Sequence, residues 1–177
     1  DALSRAALSC DLLICGQIDP DGTSKDIAHN LVGDLVVTSP APVLVTPYIG
    51  SYTDFGKHVL VGWNAPREAS RAIHAALPFL KLAEKVTLLS VDPAEDQSHE
   101  DSAIREYLAR HGITASLNTG QWQDVGAGNA LLDSLVDLNA DMIVMGAYGH
   151  SRIREMILGG ATTEVLDQMT APVLFAH

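Results

Sequence analysis

The sequence predicts an open α/β fold: a parallel sheet with helices on both faces. Three observations lead to this prediction. Short apolar runs, typical of buried strands, alternate with longer segments of helical periodicity between Lys57 and His177. Glycine or polar residues follow the apolar runs, as they do where strands enter loops. The chain closes with a strand, a glycine turn, a helix and a further strand, which is the unit from which parallel sheets are built.

The individual elements follow from local patterns. Pro66 lies near the first turn of a helix whose apolar residues recur at helical spacing from Ala69 to Leu80. Gly112 is placed to end the next helix. The predicted strands are 57–64, Lys85–Val91, Ile113–Thr119, Met142–Met145 and Val173–Ala176, and the predicted helices run from Ala65, over Ser98–His111, over Asn129–Asn139 and from Gly160.

Composition limits the classes of function. The chain has 177 residues, of which 47% are hydrophobic, so it can bury a sizeable core. Eleven basic and 22 acidic residues give a formal charge of −11, which opposes binding to nucleic acid. No apolar run reaches the roughly 20 residues of a membrane span, so we expect a cytoplasmic protein without membrane contacts. We expect the two cysteines, Cys10 and Cys15, to be reduced thiols.

An internal repeat relates the two ends of the chain. Cys10–Pro47 aligns without a gap with Ala140–His177, at an offset of 130 positions. Ala41-Pro42-Val43-Leu44 then matches Ala171-Pro172-Val173-Leu174, and Gly16 matches Gly146. The other glycines of the second copy are replaced in the first, where Asp19, His29 and Asn30 stand. The first copy is therefore interpreted as a structural unit without a ligand.

The glycines of the second copy suit a phosphate. Gly146 and Gly149 follow an apolar strand, nine residues come next, and Gly159 and Gly160 open a helix. Glycines let the backbone approach a ligand, and the free amides of a helix N-terminus attract an anion. A simple pair of turns is the alternative interpretation of the same spacing.

This pattern resembles the C-terminal signature of the universal stress protein family: G-x-x-G, nine residues, then Gly followed by Ser or Thr. Gly160 stands where that family has the hydroxyl residue. The resemblance implies a Rossmann-like, adenine-nucleotide α-hydrolase-like fold with strand order 3-2-1-4-5. It also implies ATP, with magnesium, as the cofactor.

The family's nucleotide site can be carried over residue by residue. Asn64 takes the place of an Asp that contacts the nucleoside, and an amide can still bond a ribose hydroxyl. Val91 and Met145 match the residues beside adenine. The phosphate loop corresponds to Gly146, Gly149, Gly159 and Gly160, with His150 and Ala161 directly after two of these glycines.

The resemblance also implies a domain organisation. Residues 57–177 match one complete domain, residues 1–48 match the C-terminal half of a degenerate first domain, and 49–56 form a polar linker. The missing first half of that domain is expected upstream of Asp1. Val43–Thr46 and Val173–Ala176 are expected to pair edge to edge, giving an intramolecular pseudo-dimer or a homo-oligomer.

Two functions remain open at this stage. The first is a stress-response regulator that binds a nucleotide in its second domain; the second is a protein-interaction module without a nucleotide. We assign no catalytic residue, and we expect the protein to have at most a weak ATPase activity. The seven histidines lack the spacing of a zinc site, whereas Asp92, Glu95 and Asp96 could hold magnesium beside a nucleotide.

Overall fold

The protein forms one seven-stranded sheet with helices on both faces, in a computed structural model that describes residues 2–19, 25–64, 67–94, 96–122, 125–147 and 160–177. Its elements, in chain order, are α1 (Ala2–Ala6), a 3-10 turn (Ala7–Ser9), β1 (Leu13–Gly16), α2 (Lys25–Thr38), β2 (Val43–Thr46), β3 (His58–Gly62), α3 (Arg67–Leu80), β4 (Lys85–Val91), α4 (Ser98–Arg110), β5 (Ala115–Gly120), α5 (Ala127–Asp137), β6 (Met142–Gly146), α6 (Gly160–Gln168) and β7 (Val173–Ala176).

The strands lie in the order β1-β2-β7-β6-β3-β4-β5. The predicted fold class is therefore confirmed. The five strands of residues 57–177, numbered along the chain from β3 and read across the sheet from β5, lie in the order 3-2-1-4-5. The sheet differs in detail from the expected five strands, because β1 and β2 extend it beyond β7 to seven strands.

The two predicted edges meet in the only antiparallel pairing among the described strands. β2 pairs with β7 through Val43 opposite Phe175, Leu44 opposite Leu174 and Val45 opposite Val173. At the repeat offset, Leu44 corresponds to Leu174, so the pairing is centred on two equivalent residues. An approximate twofold axis therefore passes between these leucines, as in the isologous interface of a dimer.

The two repeats share backbone geometry on either side of this axis. β1 pairs with β2 in the same register as β6 with β7. The N–H of Leu13 donates to Pro42 O at 3.0 Å, and that of the equivalent Ile143 donates to Pro172 O at the same distance. At the repeat offset, helix α1 also corresponds to the last residues of helix α5. Backbone structure thus repeats even where the loop glycines do not.

The sheet separates two apolar cores. One face packs against α3 and α4, with Ile73 and Leu108 fully buried. The other face packs against α2, α5 and α6, with Phe175 fully buried among them. On α4 the buried stripe contains Asp101, Ile104 and Leu108, whereas Ala103 is exposed.

Two features bear on expectations about location and thiol chemistry. None of the helices in the described ranges is long and apolar enough for a membrane span. Cys10 and Cys15 are free cysteines, and burial raises the pKa of the Cys15 thiol to about 11. At neutral pH this side chain is therefore an unreactive protonated thiol.

A carboxylate fixes the start of β3 against β6. Asp141, directly before β6, accepts hydrogen bonds from the backbone N–H of Lys57 at 3.1 Å and of His58 at 2.9 Å. Its own N–H donates to His58 O at 3.0 Å. Since neighbouring parallel strands have no short connection between them, these bonds set the register of the central pair.

His58 continues this arrangement across the sheet. Its Nε2 lies 3.0 Å from Thr87 Oγ1, which is 3.1 Å from Ser116 Oγ, so one polar side chain from each of three neighbouring strands takes part. The pKa of His58 is lowered, first because burial disfavours the charged ring and then because Lys85 repels it. The folded protein therefore favours the neutral imidazole.

We expect Asp141→Ala to lower the free energy of unfolding by about 1–3 kcal/mol, because two backbone donors lose a charged acceptor. Asp11 is the matched control. It occupies the equivalent position in the first repeat, is exposed, and makes no hydrogen bond within the described part of the chain. Asp11→Ala should change stability by less than about 0.5 kcal/mol in urea unfolding. Equal losses at both positions would contradict the assigned role of Asp141.

The lowered pKa of His58 predicts a pH dependence of stability. Below the unfolded-state pKa of about 6.5, the unfolded chain binds a proton at this residue that the folded protein resists. Stability is therefore fully present above that pH and falls as the pH drops toward the folded-state value. In urea titrations between pH 7.5 and 5, His58→Asn should lose less stability than the unaltered protein; an unchanged slope would contradict this prediction.

Candidate functional site

The candidate site lies at the carboxyl ends of three neighbouring strands, β6, β3 and β4. The side on which strands are added changes at β3: β4 and β5 lie on one side of it, and β6 and β7, which follow along the chain, lie on the other. Such a switch point leaves a crevice between diverging loops, which is where ligands bind in open α/β sheets. This edge contains Asn64, which follows β3, Val91, which ends β4, and Gly146, which ends β6.

Asn64 is exposed, and the residue before it is firmly held. The N–H of Trp63 donates to Leu89 O at 2.8 Å, and its indole Nε1 donates to Asp101 Oδ1 at 2.7 Å. Trp63 itself is buried. Asn64 is thus an exposed residue that directly follows a buried and hydrogen-bonded one.

Asp101 belongs to a buried polar network that sequence reasoning missed. Gln97 Nε2 donates to Asp101 Oδ1 at 3.1 Å and to Ser90 Oγ at 2.7 Å, so the network joins the ends of β3 and β4 to helix α4. A signal was present: Asp101 lies three residues before Ile104 and seven before Leu108, on the helix stripe that faces the core. A carboxylate on such a stripe needs buried donors, and Trp63 supplies one.

Val91 is half-buried at the end of β4, where the next loop is fixed by a tryptophan. Asp92 adopts a φ of 47°, and its side-chain carboxylate accepts a hydrogen bond from the backbone N–H of Trp122 at 2.8 Å. The Trp122 ring covers Gly120, where a Cβ would lie 2.4 Å from the indole. Asp92 thus has a structural role in joining the loops after β4 and β5.

Gly146 is required by packing rather than by its backbone conformation. Its φ is not positive, so the backbone there could belong to any residue. Instead, a Cβ here would lie 2.5 Å from the backbone carbon of Glu68 and 2.7 Å from Ala69 N. The first turn of α3 therefore crosses directly over Gly146. Met145 is buried with its side chain in the core that contains α5 and α6.

Gly160 begins helix α6 and is exposed, with no atom within 4 Å of the position a Cβ would take. Ala161, the next residue of the helix, is half-buried. Gly149, His150 and Gly159 lie outside the described residues. Of the other predicted residues, Asn64, Val91, Met145 and Gly146 lie at or directly beside the carboxyl ends of β3, β4 and β6, and Gly160 and Ala161 begin α6.

A second helix N-terminus nearby is already capped. Glu164, one turn along α6, accepts hydrogen bonds from the N–H groups of Gly128 at 3.1 Å and Asn129 at 3.3 Å, which open α5. Side chains at Gly126 or Gly128 would collide with this carboxylate. The starts of the two helices are thereby tied together through one acidic side chain.

The described residues contain no cluster of three or more His, Cys, Asp or Glu side chains suited to a metal ion. Glu95, a member of the acidic loop considered for magnesium, lies outside those residues. Among the described residues, the edge presents one exposed side-chain amide, backbone groups at three strand ends and the start of helix α6. These groups suit a neutral polar moiety and an anion on the same ligand.

Comparison with known sequences identifies a family for the last part of the chain. Residues 125–177 match the model described as the universal stress protein family. Universal stress protein Slr1230 of Synechocystis sp. is 42% identical over 48 residues, which are 27% of this chain and 17% of that protein. The chain thus spans about a sixth of the length of this curated relative.

Solved structures share the fold along nearly the whole chain. A universal stress protein from Archaeoglobus fulgidus DSM 4304 has a TM-score of 0.76 at 20% identity, over 98% of this chain and 64% of its own. For a putative universal stress protein from Pseudomonas aeruginosa UCBPP-PA14 the values are 0.66, 18%, 98% and 66%. UspA from Lactobacillus plantarum gives 0.55 at 17% identity, over 71% of this chain and all of its own. Residues 125–177 therefore match the universal stress protein family, and the chain as a whole has the fold of solved universal stress proteins.

Proposed function

We propose that the chain is a universal stress protein that binds ATP or a related adenine nucleotide at the carboxyl edge of β3, β4 and β6. The observation that carries this proposal is the placement of Asn64, Val91 and Gly146 at the carboxyl ends of three neighbouring strands, where the strand order changes sides. Residues 57–177 would form the nucleotide-binding domain.

The chemistry of the edge supports distinct contacts for the parts of a nucleotide. The Asn64 amide can donate to and accept from ribose hydroxyls. Backbone groups at Val91 can meet the adenine edge, while Met145, whose side chain is buried, can contribute only through its backbone. The amides at the start of α6, with Gly149 and Gly159, would hold the phosphates. Magnesium would accompany the phosphates and carry part of their charge.

The proposed role is regulatory rather than enzymatic. Nothing described at this edge is arranged as a nucleophile with its base, so any hydrolysis of ATP would be slow. A nucleotide held between loops that follow separate strands would stabilise their mutual arrangement. Its presence could therefore set which protein surfaces are available during stress, and the pseudo-dimer about Leu44 and Leu174 would transmit this state between the two repeats.

The domain organisation is part of the proposal. Residues 1–48 would be the C-terminal half of a degenerate first domain, and 49–56 the linker, which has no helix or strand. Two observations support it: the repeated register on either side of the twofold, and the longer solved structures, of which this chain covers only about two thirds. An interaction module without a nucleotide is the second candidate, favoured by the exposed apolar edge at β1.

Calorimetric titration with magnesium-ATP tests the binding. We expect saturable binding near one site per chain, and its loss in Gly149→Asp, which copies the residue of the first repeat. Gly160→Ser should tighten binding roughly two- to tenfold, because a hydroxyl adds one hydrogen bond to a phosphate. Gly160→Ala controls for helix propensity and should leave the affinity unchanged. No heat in a folded, nucleotide-free sample would favour the interaction module.

The two signature glycines should differ in their effect on stability. Gly146→Ala forces α3 away from the sheet, so we expect a loss of about 1–3 kcal/mol in urea unfolding. Gly160→Ala meets no neighbour and should be neutral or slightly stabilising. If Gly146→Ala were as stable as the unaltered protein, the close approach of Glu68 would not constrain this position.

A further inference from the structure

We propose that Gln97 and Asp101, at the start of α4, are positioning residues for the nucleotide. Acting through the residues that directly precede Asn64 and Val91, they hold the ends of β3 and β4 at a fixed separation. They thereby set the distance between the Asn64 side chain and the backbone of Val91. This role rests on the proposed function, because it concerns the geometry of the same site.

The backbone ladder between β3 and β4 stops before the site. The last pair of its register is Gly62 opposite Leu89, and the last bond runs from the N–H of Trp63 to Leu89 O at 2.8 Å. Among the described residues, no backbone hydrogen bond joins the two strands beyond this one. The relative position of Asn64 and Val91 is therefore set by other contacts.

Side chains one residue before each of these two positions supply that link. After β3, the indole Nε1 of Trp63 donates to Asp101 Oδ1 at 2.7 Å. On β4, the hydroxyl of Ser90 accepts a hydrogen bond from Gln97 Nε2 at 2.7 Å. Gln97 Nε2 also donates to Asp101 Oδ1 at 3.1 Å, which completes the connection between the two strand ends.

The connection depends on the chemistry of both side chains of α4. A side-chain amide has two N–H bonds, so Gln97 can donate to a hydroxyl and to a carboxylate at once. A carboxylate oxygen has two lone pairs, so Asp101 Oδ1 can accept from both Gln97 and the indole. The four side chains are only 0–8% exposed. Loss of one partner would therefore leave a buried polar group unpaired.

A network of this kind fixes geometry more closely than packing does. Apolar side chains of similar volume would fill the same space without the desolvation of polar groups. Hydrogen bonds, however, have preferred lengths and angles, whereas apolar contacts tolerate small shifts. The start of α4 is itself held in place, since the N–H of Asp101 donates to Gln97 O at 3.0 Å. The network therefore suits a place where two strand ends must keep a defined separation.

The backbone of Val91 faces the end of β3. The N–H of Asp92 donates to Gly120 O at 3.0 Å, on the β5 side of β4. In a trans peptide unit the C=O and N–H groups point in opposite directions, so the C=O of Val91 points away from β5 and toward β3. Asn64 follows β3 on that side. A shift of one strand end relative to the other would thus disturb a ligand that contacts both residues.

The role is tested by measuring the affinity for magnesium-ATP, by calorimetry, in variants that circular dichroism shows to be folded. Asp101→Ala removes the acceptor for both donors, and Asp101→Asn returns an oxygen to the same place. Ser90→Ala breaks the contact with β4 at the loss of a single oxygen atom, and it replaces Asp101→Ala as the test if that variant does not fold. Asp141→Ala is the control for a loss of stability alone, because Asp141 lies at the amino ends of the strands.

We expect Asp101→Ala and Ser90→Ala to weaken binding about two- to tenfold, because displaced strand ends cost the ligand the equivalent of one hydrogen bond. Asp101→Asn and Asp141→Ala should bind as the unaltered protein does, although Asp141→Ala is less stable. Equal affinity in all variants would overturn the positioning role and leave the proposed function intact. An equal loss in Asp141→Ala would also overturn it, because affinity would then follow overall stability. Absence of binding by the unaltered protein would instead overturn the proposed function, and the positioning role with it.

Discussion

The pairing of β2 with β7 is the contact on which the arrangement of the whole sheet depends. It joins the two repeats into one sheet and places a twofold between Leu44 and Leu174, both buried beneath helices. Val43 pairs with Phe175, and its equivalent Val173 pairs with Val45, the equivalent of Phe175. The same positions of the repeat therefore lie on both sides of the interface. A change at Leu44 or Leu174 therefore acts near the axis, where the two repeats share their packing.

The repeats keep a common backbone but have diverged in chemistry. Register and the bonds at the strand ends are the same in both copies. In the second copy Gly146 lies under α3 and Gly160 opens a helix; in the first, Gly16 has nothing above it and Asn30 lies within α2. Packing has thus maintained the shared strands, while the loop residues were free to differ.

The sequence predicts this fold well where periodicity and the family resemblance agree. β4 and β7 begin and end at the predicted residues, and the edge pairing that the resemblance implied is present. It predicts the site less completely, because contacts between distant segments leave little local trace. Asp101 accepts a buried hydrogen bond from Trp63, which lies 38 residues earlier in the chain. Gly146 must be a glycine because the first turn of α3, which begins at Arg67, lies against it. Both depend on how α3 and α4 lie on the sheet, which spacing along the chain does not encode.

The bond from Glu164 to the start of α5 also bears on selectivity among helix ends. Two helices start at neighbouring positions of the carboxyl edge, and each presents amides with partial positive charge. At α5 an internal carboxylate already neutralises that charge, so a soluble anion would have to displace Glu164. The protein thus supplies its own counter-charge at the start of α5, which leaves that helix end a poor site for a soluble anion.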